Sequence, residues 1–150
     1  MDIKDLSALR ARVGEEIAVS DWMPVTQDRI QQFAEATGDH QWIHLDVDRA
    51  SRESPYKTTI AHGFLTLSLV SALLRDAIRI GGLRLAVNCG LNRVRFTAPV
   101  PAGSRIRARI TPASLTEIGG ATQVVWNVTI EREGADKPCC VVEWIVRYYH

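Results

Sequence analysis

Cysteine is scarce in this sequence. There are three, Cys89 and the neighbours Cys139 and Cys140, an odd number without the C-x-x-C spacing of zinc or redox sites. On a strand Cys139 and Cys140 would face opposite ways, which makes at least one of them core filler. An excess of one charge is missing too: 18 Lys and Arg against 17 Asp and Glu leave a net +1. Nothing then draws the whole chain to nucleic acid or to an anionic membrane, and any anion site must be local. No apolar run reaches the roughly 18 to 20 residues that cross a bilayer. The opening "MDIKDLSALRARVGEE" alternates charges where an export signal needs an uninterrupted apolar stretch, so the expected location is the cytoplasm. With no G-x-S-x-G elbow and no cysteine near a histidine, covalent catalysis is not expected.

What is present describes a folded protein. At 150 residues, 46% hydrophobic and 23% charged, the chain suits a single domain over 1–150 with a sizeable core. Ile3, Leu6 and Leu9 recur at three-residue spacing before Gly14, which predicts a short opening helix ending at that glycine. Thr26 can cap a helix whose positions Ile30, Phe33, Ala34 and Thr37 follow i, i+3, i+4, i+7, with Gly38 ending it. Residues 39–44 then fall in a turn or loop, and a second short helix is predicted near Val47 to Arg52.

"GFLTLSLVSALLRDAIR", Gly63 to Arg79, carries the strongest helical pattern and would run about 25 Å. Its apolar residues cover most of the circumference, which predicts burial on nearly all sides, with Gly81 and Gly82 as the stop. Four segments of strand composition follow: "LAVNCGLNRVRF", "SRIRARITPASL", "TQVVWNVTIERE" and "CCVVEWIVRYY". Short turn-rich links between them predict an antiparallel meander wrapped around the long helix, an α+β architecture.

The densest chemistry lies in "TGDHQWIHLD", Thr37 to Asp46. A loop that folds back after Gly38 can aim Asp39 and His44 at one point, where a carboxylate and an imidazole could share a water and move its protons. Two other readings stand beside it. Asp39 could cap the next turn while His44 is an ordinary half-buried histidine, or Asp39, His40 and His44 could hold a metal. In "IAHGFLTLS", Gly63 would open the buried helix with unpaired backbone N–H groups, suited to an oxygen that gains negative charge. Here the alternative is a tight helix entry in which His62 serves as the cap.

Taken together, "FAEATGDHQWIHLD" and the later "IAHGFLTLSLV" resemble the MaoC-like, or hydratase 2, branch of the hotdog-fold proteins, closest to its nodulation-protein-N-like members. That branch's motif runs aromatic, small residue, Gly-Asp-x-Asn-Pro-aliphatic-His, and Phe33, Thr37, Gly38, Asp39, Ile43 and His44 fall into place. "NCGLNRVRFTAPVPAGSRIRA" is similar to the family's strand-turn-strand segment, so the likeness runs from about Gly14 to the last strand. Gln41 and Trp42 depart from the commoner asparagine and proline.

The resemblance implies a hotdog fold and a homodimer or assembly of dimers. It implies (R)-specific hydration of trans-2-enoyl-CoA, with Asp39 and His44 activating the water and the Gly63 N–H polarising the thioester carbonyl. No metal or redox cofactor is implied, coenzyme A being part of the substrate. Substrate contacts are expected from Gln41, Trp42 (shaping the acyl pocket), His62, Asn88 and Arg95, the last toward the coenzyme A phosphates. Arg105, Arg107 and Arg109 form one face of a strand, either solvated or, like Arg93, a further phosphate contact. The rival functions are an acyl-CoA thioesterase on the same fold and a non-catalytic acyl-CoA-binding protein. Many hotdog thioesterases place a carboxylate early on the central helix, where this chain has none before Asp76.

Overall fold

The computed structural model describes residues 1–150. In chain order the elements are β1 (Asp2–Ile3), α1 (Leu6–Arg10), β2 (Ala18–Val19), β3 (Met23–Val25), α2 (Gln27–Thr37), α3 (Trp42–Leu45), α4 (Val47–Glu53), α5 (Gly63–Ser68), α6 (Val70–Ala77), β4 (Arg79–Ile80), β5 (Leu85–Phe96), β6 (Ser104–Ile118), β7 (Ala121–Arg132) and β8 (Cys140–Tyr149). The main sheet is antiparallel with strand order β2-β6-β7-β8-β5, and β3 also pairs with β6.

Strand alternation builds the core. On β7 the buried side chains are Val124, Trp126, Val128 and Ile130, and on β8 Cys140, Val142, Trp144, Val146 and Tyr148. Against these pack Leu65, Val70, Leu73 and Leu74 of α5 and α6, all within one hydrophobic cluster. Buried polar atoms at its centre are paired: the Trp126 Nε1–H donates to the Tyr148 hydroxyl at 3.1 Å. Burial pushes the Tyr148 phenol up to about 12. Cys139 and Cys140 are both buried, and loss of water raises their thiols to about 11 and about 12.

Several expectations are corrected. The strands are not a plain meander, because β5 crosses to the far edge and pairs with β8 instead of β6. Ile3 belongs to a strand, β1, which runs parallel to β4, so α1 is only five residues long. The long helix is broken at Leu69 and ends at Ala77, because Ile78 is already extended. Just before the break the Ser68 hydroxyl donates to the Phe64 carbonyl at 2.7 Å, a back-bond that bends helices. Nor is that helix buried all round: Phe64 is 69% exposed, beside an edge strand that also shows Leu85, Val87, Leu91 and Phe96 to solvent. No helix is long and apolar enough to cross a membrane.

The basic row on β6 is paired. Arg105 meets Glu133, Arg107 meets Glu131 at 2.8 Å, and Arg109 meets Glu16 at 2.7 Å. Arg107 also lies over the Trp22 ring, 4.5 Å from its centroid. These contacts make the row a solvated, charge-balanced face.

Candidate active site

Helix α2 begins with the Thr26 hydroxyl accepting from the Arg29 N–H and ends with Gly38 in the left-handed conformation, φ 79°. That reversal, natural to glycine, throws the next residue off the helix axis. Asp39 is exposed, and its Oδ1 accepts from the Gln41 N–H at 3.3 Å. Gln41 precedes the single turn of α3, in which the His44 N–H donates to the Gln41 carbonyl. His44 is therefore on a short helix and not in an irregular loop, and this turn carries it back toward Asp39.

His44 is 6% exposed. Its Nδ1 lies 2.7 Å from the Ile60 carbonyl; since a carbonyl can only accept, Nδ1 carries the proton and Nε2 keeps its lone pair. The contact is reciprocated, for the Ile60 N–H donates to the Ile43 carbonyl at 3.1 Å. Burial pulls the His44 imidazole below its usual 6.5, helped by the neighbouring His62 and opposed by the Ile60 bond and the Asp39 carboxylate.

His62 stacks on His44 with ring centroids 3.8 Å apart. An oxygen of Asp39 and a ring nitrogen from each histidine lie within 4.8 Å of one another. These three are the donors a metal would find, but the histidine planes are inclined by only 27°. In-plane lone pairs on stacked rings run side by side instead of converging on one ion. His40, the third member of the metal reading drawn from sequence, turns away to Glu35 at 3.3 Å.

The second segment is anchored by the β5–β6 link: the Ala61 N–H donates to the Val100 carbonyl and the Ala102 N–H to that of Thr59. This delivers Gly63 as the first residue of α5, where N–H groups lack intrahelical acceptors. Gly63 lines an open hollow of about 400 Å³ together with Tyr56, Ala61, Thr66, Phe96 and Val100.

The remaining sequence candidates are placed differently from one another. Gln41 is exposed beside Asp39. Trp42 stacks under the Arg49 guanidinium, 4.2 Å from the ring centroid, and borders a shallow hollow with His40, Leu45 and Asp48 instead of the one at Gly63. His62 is 2% exposed and sits behind the pair, so the expected substrate contact gives way to an internal one. Asn88 accepts from the Trp144 Nε1–H at 2.8 Å. Arg95 faces the outer side of the sheet with Arg93 and Glu143; Thr97 borders both that hollow and the one at Gly63.

Gln27 has a part that sequence reading missed. Its Nε2 donates to the His44 carbonyl at 2.7 Å, and its Oε1 accepts from the buried Thr59 hydroxyl at 2.5 Å. One amide thus joins the two site segments. At the first position of a helix it reads as ordinary helix composition, and no local signal marks it.

Residues 9–133 match the MaoC like domain. The chain belongs to the MaoC-like family. This MaoC-like chain is 48% identical over 146 residues to 3-hydroxyacyl-thioester dehydratase Z of Mycobacterium tuberculosis, covering 97% of this chain and 96% of that protein. It is 43% identical over 143 residues to nodulation protein N of Rhizobium leguminosarum bv. viciae, covering 93% and 88%. Among solved structures it resembles the R-hydratase PhaJ1 of Pseudomonas aeruginosa, with TM-score 0.71, 22% identity, and 94% and 85% of the two chains covered. The MaoC-like dehydratase of Rhodospirillum rubrum gives TM-score 0.71 at 19% identity, covering 89% and 90%. The fold is accordingly a hotdog, and the chain is an enzyme of the hydratase/dehydratase class.

Proposed function

We propose that this chain catalyses the reversible, (R)-specific hydration of trans-2-enoyl-CoA to (R)-3-hydroxyacyl-CoA. The observation that carries the reading is the state of His44: with Nδ1–H committed to the Ile60 carbonyl, Nε2 is an acceptor, and a carboxylate oxygen of Asp39 lies within 4.8 Å of a His44 ring nitrogen. Two acceptors at that separation suit one water, each taking one of its hydrogens.

As the water oxygen bonds to C3, His44 Nε2 takes its proton and Asp39 holds the second hydrogen. The C2–C3 π pair moves toward the thioester, whose carbonyl oxygen gains negative charge. The Gly63 N–H at the start of α5 stabilises that oxygen. Return of the proton to C2 closes the cycle and restores neutral His44, so atoms and charge balance with no redox or metal cofactor. Dehydration is the same path in reverse.

A homodimer accompanies this reading. An antiparallel edge strand of twelve residues, β5, with Leu85, Val87, Leu91 and Phe96 exposed and Phe64 beside it, fits a second copy of the chain better than it fits water. A cytoplasmic location remains part of the proposal.

The test is hydration of enoyl-CoAs of graded chain length, followed as loss of the enoyl absorbance, with chiral analysis of the product. Turnover to the (R)-alcohol is the expected result. Release of free thiol in its place would establish the thioesterase, which the position of Asp76 disfavours: it lies near the end of α6, next to Arg75 at 3.9 Å. Tight acyl-CoA binding without turnover at any length would establish a binding protein.

A further inference from the structure

We infer that His62 is a positioning residue for the proposed hydration, holding the His44 ring and the Asp39 main chain from a single imidazole. The inference rests on the hydratase reading for its consequence and on the side-chain geometry for its content.

At 2% exposure the ring cannot meet substrate. Its Nε2–H donates to the Asp39 carbonyl at 3.0 Å, which fixes the ring as the Nε2–H tautomer. One face lies on His44 at 3.8 Å between centroids, and Phe33 packs against the ring at 4.9 Å, tilted by 53°. The Nδ1 atom is buried with no hydrogen-bond partner. A buried polar atom left unpaired is unfavourable, and a phenylalanine would fill the same space without it. All the directional bonding of the ring is therefore its one donation to Asp39.

That donation matters because of what holds Asp39 otherwise. Asp39 follows a left-handed glycine and is exposed, and its own turn is closed only by the long 3.3 Å bond from the Gln41 N–H. His62 also immediately precedes Gly63, so one side chain couples the water-activating pair to the start of the central helix. The groups facing His44 are the Asp39 carboxylate from the α2–α3 turn, the His62 ring from the entry to α5, and the Ile60 carbonyl.

Two variants separate the functions of the ring. His62→Phe keeps an aromatic face for His44 and deletes the N–H; His62→Gln keeps a reachable N–H and deletes the ring. In crotonyl-CoA hydration, His62→Phe should lower kcat by roughly 10- to 100-fold with KM within about threefold, the scale of a misplaced reacting group. His62→Gln should recover part of the loss, and the His44 titration, followed by ring NMR, should rise in both variants, because each removes the neighbouring imidazole that lowers it, and rise further in His62→Gln, where the covering ring is gone as well. Full kcat in folded His62→Phe overturns the inference. So does an equal loss in both variants with the His44 titration unmoved, which is the signature of packing alone. If wild type itself does not hydrate enoyl-CoA, the hydratase reading fails, while the NMR arm still decides on His62: an unchanged His44 titration in both variants overturns it.

Discussion

The ring of Phe96 covers Gly63 so closely that a β-carbon built on the glycine would sit 3.2 Å from three ring carbons. Gly63 is not left-handed, so alanine suits its backbone, and the 49% exposed Phe96 can give way. Gly63→Ala should change the melting temperature little, helped by the better helix propensity of alanine. Its methyl group would stand where the thioester must approach, and kcat for enoyl-CoA hydration should fall roughly 10- to 100-fold. Comparing steady-state kinetics with a thermal melt separates the two effects.

Asp39→Asn and His44→Ala should each lower crotonyl-CoA hydration by at least about 100-fold, the usual scale of general acid–base contributions. The double variant should lose little more than the worse single one, because in the proposed mechanism both act on the same water. Near-normal turnover by either folded single variant would remove the pair from the mechanism.

The pH dependence follows from the depressed His44 imidazole. The proposed mechanism needs its neutral form, so kcat/KM should fall on the acid side with a midpoint below 6.5. Stability changes in the same direction. Between the folded midpoint and 6.5 the unfolded chain binds the extra proton, so this contribution is full above 6.5 and disappears as pH falls through the folded value. Denaturant titrations of wild type and His44→Gln should converge toward low pH. Asp39→Asn should push the His44 NMR midpoint lower still, because the carboxylate raises it.

Gln27→Ala removes the amide that binds both the His44 carbonyl and the Thr59 hydroxyl. With Thr59 only 1% exposed, its hydroxyl would be left buried and unpaired, at about 1 to 3 kcal/mol of unfolding free energy. Activity should fall with stability, since the two site segments lose a common tether. A variant equal to wild type in both melting and turnover would show that Gln27 is dispensable.

Phe64→Asp should leave secondary structure intact by circular dichroism, because the side chain is largely in solvent and stands edge-on to Phe96 at 6.3 Å. Light scattering should show wild type as a dimer and the variant shifted toward monomer. A wild type that is monomeric at micromolar concentration would contradict the proposed assembly.

Much of this fold was legible in the sequence where the pattern is local. The cap at Thr26, the stop at Gly38 and the extent of β5 follow from hydroxyl, glycine and β-branched residues in their ordinary roles. Asp39, His44 and Gly63 stood out because loop and helix-entry chemistry is concentrated in short runs. What was not legible depends on distant partners. The crossing of β5 to β8 depends on which strand edges meet, Ile3 is drawn into a strand by Arg79 and Ile80, and Gln27 acquires its role only when residues 44 and 59 come together. The Ser68 hydroxyl that bends the helix gives no hint in hydropathy, and Trp42, bulky and apolar, is drawn outward by the Arg49 guanidinium.

The reciprocal bonds between the Ile43–His44 turn and Ile60 tie together the two segments that carry the proposed reacting groups, all within residues 39–63. In the proposed mechanism the sheet contributes walls and edges but no reacting atom. Exchange of the outer strands could therefore redraw the chamber for a longer, shorter or bulkier acyl chain while the water-handling end is inherited unchanged, leaving this fold free to diversify in substrate without reinventing its chemistry.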